Sequence, residues 1–154
     1  MNKNKNHINC IISACLVGVP CRWNAKHKFS KLALIEFQKG NAILVCPELM
    51  SGMKIPRAAC EISNGDGLDV LNNKAKVIDK KGDDYTNDFI AGSQKTINEI
   101  VKKNKIKKAI LKSGSPSCGV KTIYSGKFNG KKIKGSGVFT ALLKKNGIKN
   151  IIEI

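Results

Sequence analysis

The sequence predicts a single Rossmann-like α/β domain with a largely parallel sheet, and two observations lead to this fold class. Short apolar runs rich in β-branched residues alternate along the chain with segments whose apolar residues recur at helical spacing. Strands that alternate with helices pair in parallel, because each helix carries the chain back across the sheet. The chain has 154 residues, the size of one ordinary domain, so we expect one domain over residues 1–154.

Each predicted element follows from its composition and from the residues at its ends. Three buried strands are expected, at 8–14, 42–46 and 107–113, and a last strand at 149–154. Helices are expected at 29–39, 87–104 and 138–148. Thr86 is the expected N-cap of the second helix, and Gly147 is expected near the end of the third. Residues 75–79 form a possible further strand, residues 122–135 a possible hairpin, and residues 47–74 irregular structure punctuated by Gly and Pro.

The composition argues against a membrane protein. No stretch approaches the roughly 20 apolar residues that a membrane-spanning helix needs. The polar start of the chain, residues 1–7, leads into an apolar run too short for the core of a signal peptide. We therefore expect a cytoplasmic protein with no membrane partner. Its six cysteines are then expected to be free thiols, because that compartment keeps thiols reduced.

The net charge has two interpretations. It is +17, and only Arg22 and Arg57 are arginines, so lysines carry almost all of the positive charge. Such a surface attracts phosphates and polyanions. An AT-rich genome imposes the same excess of Lys, Asn and Ile on every protein without any binding function. The sequence leaves both interpretations open.

Three cysteines lie where three predicted strands end. Cys15 follows the first strand, Cys46 closes the second and Cys118 follows the third. Parallel strands point the same way, so these thiols are expected on one rim of the sheet, where ligands bind in such folds. Three thiolates suit a soft metal or an iron–sulfur cluster and leave a coordination position open. Cys21 is a possible fourth ligand, whereas Cys10 is expected to be a small buried hydrophobe.

Five motifs run through nearly the whole chain: SACLVGVPCRW (13–23), CPELMSGMKIPRAACEI (46–62), DFIAGSQKT (88–96), AILKSGSPSCG (109–119) and GSGVFTALLKKNGI (135–148). In this order and combination they resemble the DUF523 family, which is associated with thiouracil desulfidases. The resemblance implies a 4Fe–4S cluster held by three cysteines, with one iron free for the sulfur of the substrate. The cysteines that match those ligands are Cys15, Cys46 and Cys118, and Cys21 is not counted among them.

The same resemblance implies the catalytic residues. Glu48 of the CPE motif and Ser115 of the SPSCG motif match the proposed catalytic pair of the family. Expected substrate contacts come from Arg22, Arg57 and Ser117, although salt-bridge roles are equally open for the two arginines. Without the resemblance, Glu48 reads as a solvated loop carboxylate and Ser115 as a turn-forming residue.

The expected activity is hydrolytic, non-redox removal of sulfur from thiolated uracil bases or nucleotides. Two alternatives stay open: a desulfidase that acts on thiolated uridine in tRNA, and a non-enzymatic metal or redox sensor built on the same thiols. The oligomeric state is also open. In the SPSCG loop, Pro116 is expected to stiffen the backbone and Gly119 to let it pass close to a bulky cluster.

The chain departs from the common family pattern at two places beside the motifs. Trp23-Asn24-Ala25 stands where Tyr-Asp-Gly is common, and Ala59-Cys60 stands where Pro-Ala is common. Both departures are expected to alter the shape of the pocket, and neither removes a residue that the resemblance assigns to the chemistry.

Overall fold

The computed structural model describes residues 7–154, so the start of the polar segment discussed above lies outside the described residues. Its strands, in chain order, are β1 (Cys10–Ser13), β2 (Ala42–Val45), β3 (Cys60–Ser63), β4 (Lys76–Asp79), β5 (Lys108–Leu111), β6 (Thr122–Tyr124), β7 (Lys132–Lys134) and β8 (Asn150–Glu153). Its helices are α1 (Lys31–Gln38), α2 (Pro47–Met50), α3 (Gly67–Leu71), α4 (Thr86–Thr96) and α5 (Val138–Lys145). A 3₁₀ turn, Ala14–Val17, follows β1, and a π-helical turn, Ile97–Val101, continues α4.

The centre of the fold is a sheet of four parallel strands in the order β2-β1-β5-β8. Ile11 of β1 lies opposite Ile43 of β2 on one side and Ala109 of β5 on the other. The α/β class and the parallel pairing predicted from the sequence are therefore confirmed. Two antiparallel pairs, β3 with β4 and β6 with β7, stand apart from this sheet. The second pair is the hairpin expected within residues 122–135.

Both faces of the central sheet are covered. On one face Ile11 and Leu111 pack with Phe139 of α5 in a single apolar cluster, which the π-helical turn after α4 also joins. On the other face Ile12 and Ile110 pack with residues of α1 and of the 3₁₀ turn. Strands covered on both faces read as continuous apolar runs, which is why the sequence revealed them clearly.

The expectation of irregular structure over residues 47–74 is wrong. Pro47 lies just beyond the end of β2 and is the first residue of α2. Proline suits the first position of a helix as well as the end of a strand. Asp66 and Asp69 form a reciprocal capping box that begins α3. Between these helices, β3 pairs antiparallel with β4 and so lies outside the alternating parallel pattern.

The expected role of Thr86 as an N-cap is also wrong. Thr86 is the first residue of α4, and Tyr85 occupies the cap position. The Thr86 hydroxyl instead accepts a hydrogen bond from the backbone N–H of Val77, at 3.0 Å, and so ties the helix to β4. The hydroxyl oxygen that would cap the helix is thus occupied by a hydrogen bond from a neighbouring strand.

The order of the strands creates a crevice at β1. The chain passes from β1 outward to β2 on one side, whereas β5 and β8 lie on the other side. In open parallel sheets, ligands bind beyond the carboxyl ends of the strands at such a reversal. Among residues 7–154, no helix has both the length and the apolar character needed to cross a membrane.

Candidate functional site

A cavity of about 300 Å³ lies beyond the carboxyl ends of β1, β2 and β5. All eight residues that the sequence analysis singled out line it: Cys15, Arg22, Cys46, Glu48, Arg57, Ser115, Ser117 and Cys118. Residues distant in sequence therefore meet at the rim where parallel strands end. Their individual roles stay predictions.

Three local structures bring the thiols to this cavity. Cys15 lies in the 3₁₀ turn that follows β1, and Cys46 occupies the cap position of α2 directly after β2. Cys118 lies in the loop after β5 and is buried. Cys21 also lines the cavity, and its thiol lies within hydrogen-bonding reach of Cys15 and Cys46. The thiol of Cys46 in turn reaches the backbone carbonyl of Cys21 at 4.0 Å.

The buried thiols hold their protons in the absence of a metal. The hydrogen bond with Cys15 is the main cause that raises the pKa of Cys21 to about 11. The hydrogen bond with Cys21, followed by burial, raises the pKa of Cys46 much further. Burial raises the pKa of Cys118 to about 12, against the opposing effect of the Ser13 and Ser117 hydroxyls. Metal binding at these thiols would therefore release protons.

Glu48 is held by Arg57 in an ion pair with little solvent exposure. The side chains of Arg57 and Glu48 are 6% and 15% exposed. Nε of Arg57 donates to Oε2 of Glu48 at 2.7 Å, and Nη2 donates to the carbonyl of Cys21 at 2.9 Å. The guanidinium therefore ties α2 to the segment that carries Cys21. Of the two roles left open for Arg57, the structure contains the ion pair.

The short helix α2, which carries Glu48, is seated against α4 by a glycine. A Cβ at Gly92 of α4 would collide with the backbone carbonyl of Pro47 and with the side chain of Ser51. Only glycine allows this close approach without movement of one of the helices. The position of Glu48 beside the thiols thus depends on Gly92, which lies 44 positions further along the chain.

Ser115 organises the loop that carries Cys118. Its hydroxyl accepts hydrogen bonds from the backbone N–H groups of Ser117, at 3.1 Å, and of Cys118, at 3.0 Å. The start of α5 completes this arrangement, because Val138 donates its backbone N–H to the carbonyl of Pro116. The turn-forming role is therefore present, and the hydroxyl hydrogen of Ser115 is still available as a donor.

The structure gives a reason for Gly119 within its own loop. A Cβ there would lie 2.7 Å from the carbonyl oxygen of Ser115 and 2.8 Å from that of Thr122. These are contacts within the folded-back loop itself. Glycine is required at this position by the loop's own backbone, whether or not a cluster lies nearby.

Ser117 supplies an unusual polar atom. The residue is 2% exposed, and its Oγ has no hydrogen-bond partner by distance and angle among residues 7–154. The hydroxyl nevertheless lies close enough to Cys118 to lower the pKa of that thiol. Buried hydroxyls without a partner are rare in folded proteins. A hydroxyl aimed at a buried sulfur fits a site that binds a thiolate-ligated group.

Positive charge surrounds part of the cavity. Arg22 and Lys112 line it, and the ammonium group of Lys132 lies 5.3 Å from the centre of the Tyr124 ring, which lines it too. Burial lowers the pKa of Lys112, and the charge of Arg22 adds to the effect. The cations are therefore close enough to repel one another, an arrangement that an anion would stabilise.

The remaining cysteines divide as follows. All six cysteines are free thiols, in agreement with the sequence analysis. Cys10 is buried in β1, as expected for a small hydrophobe. Cys60 lines the cavity, and its thiol is close enough to Glu48 to feel the negative charge of that carboxylate. Cys60, one of the departures from the family pattern, is therefore part of the wall of the pocket.

The thiols that line the cavity fit an iron–sulfur cluster. Within residues 7–154, no group of three or more His, Cys, Asp or Glu converges closely enough to hold one ion. Iron–sulfur clusters are held by cysteine thiolates bound to different irons, so their ligands surround a volume and do not meet at a point. Thiols around a cavity, together with the unpartnered hydroxyl of Ser117, match that requirement.

Fold and site together define an α/β protein with a thiol-lined cavity at the switch point of a parallel sheet. A model of the 2-thiouracil desulfurase family matches residues 10–154, and the chain belongs to that family. The chain is 43% identical over 143 residues to protein YbbK of Bacillus subtilis (strain 168). The aligned residues make up 93% of this chain and 94% of YbbK. These matches extend over nearly the whole chain, as the five motifs do.

A solved structure gives a third comparison. It is that of a 4Fe-4S-dependent thiouracil desulfidase, TudS (DUF523Vcz), which is 32% identical to this chain with a TM-score of 0.80. The match covers 95% of this chain and 90% of that one. The resemblance to the DUF523 family, inferred from the motifs, is thereby confirmed.

Lys112 and Phe128 are among the residues of the cavity wall that sequence reasoning missed. Lys112 is one lysine among many, and its only signal was its place directly after β5. Phe128 carried a clearer signal, because it is an aromatic residue between Gly126 and Gly130, in a turn whose other residues are polar. An aromatic residue in such a turn is seldom needed for the turn itself.

Proposed function

We propose that this protein is an iron–sulfur-dependent desulfidase that converts thiolated uracil to the oxo-pyrimidine and sulfide by hydrolysis, within one domain and in the cytoplasm. One observation carries the proposal. Thiols from the ends of three different strands, Cys15, Cys46 and Cys118, line the same cavity as the carboxylate of Glu48. Membership of the 2-thiouracil desulfurase family and similarity to a 4Fe-4S-dependent thiouracil desulfidase support it.

We assign the cluster to three ligands. Cys15, Cys46 and Cys118 are the thiols that would hold a 4Fe–4S cluster and leave one iron without a protein ligand. When bound, such a cluster supplies a soft Lewis-acid site for a thiocarbonyl sulfur. The buried hydroxyl of Ser117 would donate a hydrogen bond to sulfur at this site. Cys21 is left as a neighbouring thiol.

The chain's own groups handle the water and the protons. Glu48 is the general base that takes a proton from the attacking water, and Arg57 keeps its carboxylate in one orientation through Oε2. Ser115 accepts two backbone N–H bonds and donates its own hydrogen toward the substrate. The water oxygen bonds to the ring carbon as the carbon–sulfur bond breaks. Sulfur leaves with the two hydrogens of water, so no electrons are exchanged.

The charge of the cavity favours a nucleotide over a free base. Arg22 and Lys112 line the cavity, and Lys132 lies at the edge of its wall beside Tyr124. A phosphate group would relieve the mutual repulsion of these cations, with Arg22 offering a fork of donors to its oxygens. At this cavity the lysine-rich composition therefore has a functional interpretation.

Thiolated uridine within tRNA is the second candidate. The hairpin of β6 and β7 carries exposed lysines, including Lys132 and Lys134, next to the cavity. A basic surface beside an active site suits a polyanion. Binding of tRNA that weakens steeply with salt, together with sulfide release from thiolated tRNA, would favour this candidate.

The test is anaerobic reconstitution with iron and sulfide, followed by incubation with 2-thiouracil, 4-thiouracil and their nucleotides. We expect sulfide and the oxo-pyrimidine in equal amounts, without added reductant, and faster release from nucleotides. An Arg22→Ala variant should lose the preference for nucleotides more than it loses activity on bases. A protein that takes up zinc, stays colourless and releases no sulfide would contradict the proposal and favour a sensor.

A further inference from the structure

Phe128 adopts a backbone conformation that a bulky side chain rarely takes. It lies in the loop between β6 and β7, and its φ is +52°. In this left-handed region the Cβ approaches the following carbonyl, so any residue other than glycine is strained there. Asn and Asp tolerate the region best, and an aromatic residue has no such advantage. Strain of this kind persists only where the surroundings hold it in place, often at ligand sites.

Two contacts with β3 hold this loop in place. The carboxylate of Glu61, which is 9% exposed, accepts a hydrogen bond through Oε2 from the backbone N–H of Phe128, at 3.1 Å. The Glu61 side chain makes no other hydrogen bond among residues 7–154. Two residues before Phe128, a Cβ at Gly126 would collide with the carbonyl of Ile62. The loop backbone therefore lies directly on β3 at neighbouring positions.

The result of this arrangement is an aromatic ring on the cavity wall. Phe128 is half-buried and lines the cavity together with the thiols. The other aromatic residues of the wall are less suited to receive a flat ligand. Tyr124 already has the ammonium group of Lys132 over its ring. Phe89 is only 3% exposed, so its ring is buried in the core, whereas Trp23 is 44% exposed, so much of its ring faces solvent.

We propose that Phe128 is the residue on which the pyrimidine ring of the substrate stacks, and that Glu61 is the positioning residue that holds it there. The inference rests on the proposed function, because it assumes a pyrimidine in this cavity. An apolar aromatic face binds a heteroaromatic ring of any thiolated or oxo form, since stacking does not depend on the exocyclic atom. The side chain therefore binds substrate and product alike and orients the ring for attack.

The experiment measures binding separately from turnover in the reconstituted, cluster-loaded protein. Anaerobic calorimetry gives the dissociation constant of uracil, which is not consumed, and steady-state assays give KM and kcat for 2-thiouracil. Phe128→Leu should raise both the dissociation constant and KM by about tenfold, the usual scale for loss of one stacked base. It should change kcat much less, because ground state and transition state lose the same contact. Phe128→Tyr retains a ring and should restore most of the affinity.

A matched control makes the same change elsewhere. Phe29 is also a phenylalanine, 53% exposed and outside the cavity, so Phe29→Leu should leave the dissociation constant of uracil unchanged. Glu61→Leu should weaken uracil binding as Phe128→Leu does, and the double variant should be no weaker than either. Glu61→Gln keeps an acceptor oxygen and should recover part of the loss. This non-additivity is the mark of residues that act through one contact.

The outcomes are distinguishable. If wild-type protein binds uracil and Phe128→Leu binds it equally well at full iron content, the inference is wrong and the proposed function stands. If wild-type protein neither binds uracil nor releases sulfide from thiouracil, both fail. Equal affinity in Glu61→Leu, with Phe128→Leu weakened, would remove the positioning role of Glu61 alone.

Discussion

Arg57 and Glu48 form an ion pair at the wall of the cavity, with Nε of Arg57 donating to Oε2 of Glu48 at 2.7 Å. Nη2 of the same guanidinium contacts that oxygen and the carbonyl of Cys21. One planar group thus fixes a carboxylate and the backbone of a thiol-bearing segment at once. Arginine suits this task because its fork presents several donors in a rigid plane.

The first prediction concerns the stability that this pair confers. Arg57→Met should lower the free energy of unfolding by about 3 kcal/mol, because it leaves the Glu48 carboxylate without its partner in a poorly solvated place. Denaturant unfolding of the reconstituted protein measures the loss. The matched control is Lys76→Met, whose ion pair with Asp84 is exposed and should contribute at most about 1 kcal/mol. Equal losses in the two variants would contradict the structural role given to Arg57.

The second prediction separates an enzyme from a sensor. Glu48→Gln keeps the size of the side chain and removes its capacity to accept a proton, so sulfide release per cluster should fall by about 10²-fold or more. Iron content, measured in parallel, should be unchanged, because Glu48 is not assigned as a ligand. Full turnover in a fully loaded Glu48→Gln protein would mean that another group acts as the base.

The third prediction tests the ligand set. Cys15→Ala, Cys46→Ala and Cys118→Ala should each abolish the iron content and brown colour of the reconstituted protein, because a cluster needs its thiolates. Cys10→Ala and Cys60→Ala should leave both intact. Cys60 is the sharper control, because it lines the same cavity. Loss of colour in the Cys60 variant would show that a fourth or different ligand is in use.

The fourth prediction concerns high pH. Burial, and next the charge of Glu48, raise the pKa of Cys60 from 9.0 to about 12. Between these values the folded protein keeps a proton that the unfolded chain has lost, so the free energy of unfolding falls as the pH rises. Denaturant unfolding at about pH 8 and about pH 10.5 measures this fall. The free energy of unfolding should decline less between the two pH values in Cys60→Ala than in wild type. Identical declines would mean that this thiol is not protected from ionisation.

The fifth prediction concerns Ala25, which stands where glycine is common in the family pattern. Ala25 has a φ of +59°, in the left-handed region that favours glycine. Ala25→Gly should therefore stabilise the protein by about 1 kcal/mol, since relief of strain outweighs the added freedom of the unfolded chain. Ala91→Gly, at an exposed position inside α4, should instead destabilise it by about 1 kcal/mol. Thermal unfolding of the two variants should show shifts of opposite sign; a loss for both would refute the strain at Ala25.

The sequence by itself determined the parallel sheet and the meeting of the thiols. Strands covered on both faces must be apolar throughout, so β1, β2 and β5 were visible as short β-branched runs. Once they are parallel, residues that follow them meet at one rim, which brought Cys15 and Cys118 together in the prediction. The family motifs then identified the chemistry, because they join residue type to position.

Only the tertiary structure decided how the site is held. The pairing of β3 with β4, the clash that makes Gly92 necessary and the ion pair of Glu48 with Arg57 depend on segments that are distant in the chain. Local propensity contains no information about such partners. For α2 and α3 the local signals exist, Pro47 at a helix start and the Asp66–Asp69 capping box, but the glycines and prolines around them favour irregular structure. The position of Phe128 has the same origin, since a buried carboxylate on another strand holds it in a conformation that its own backbone disfavours.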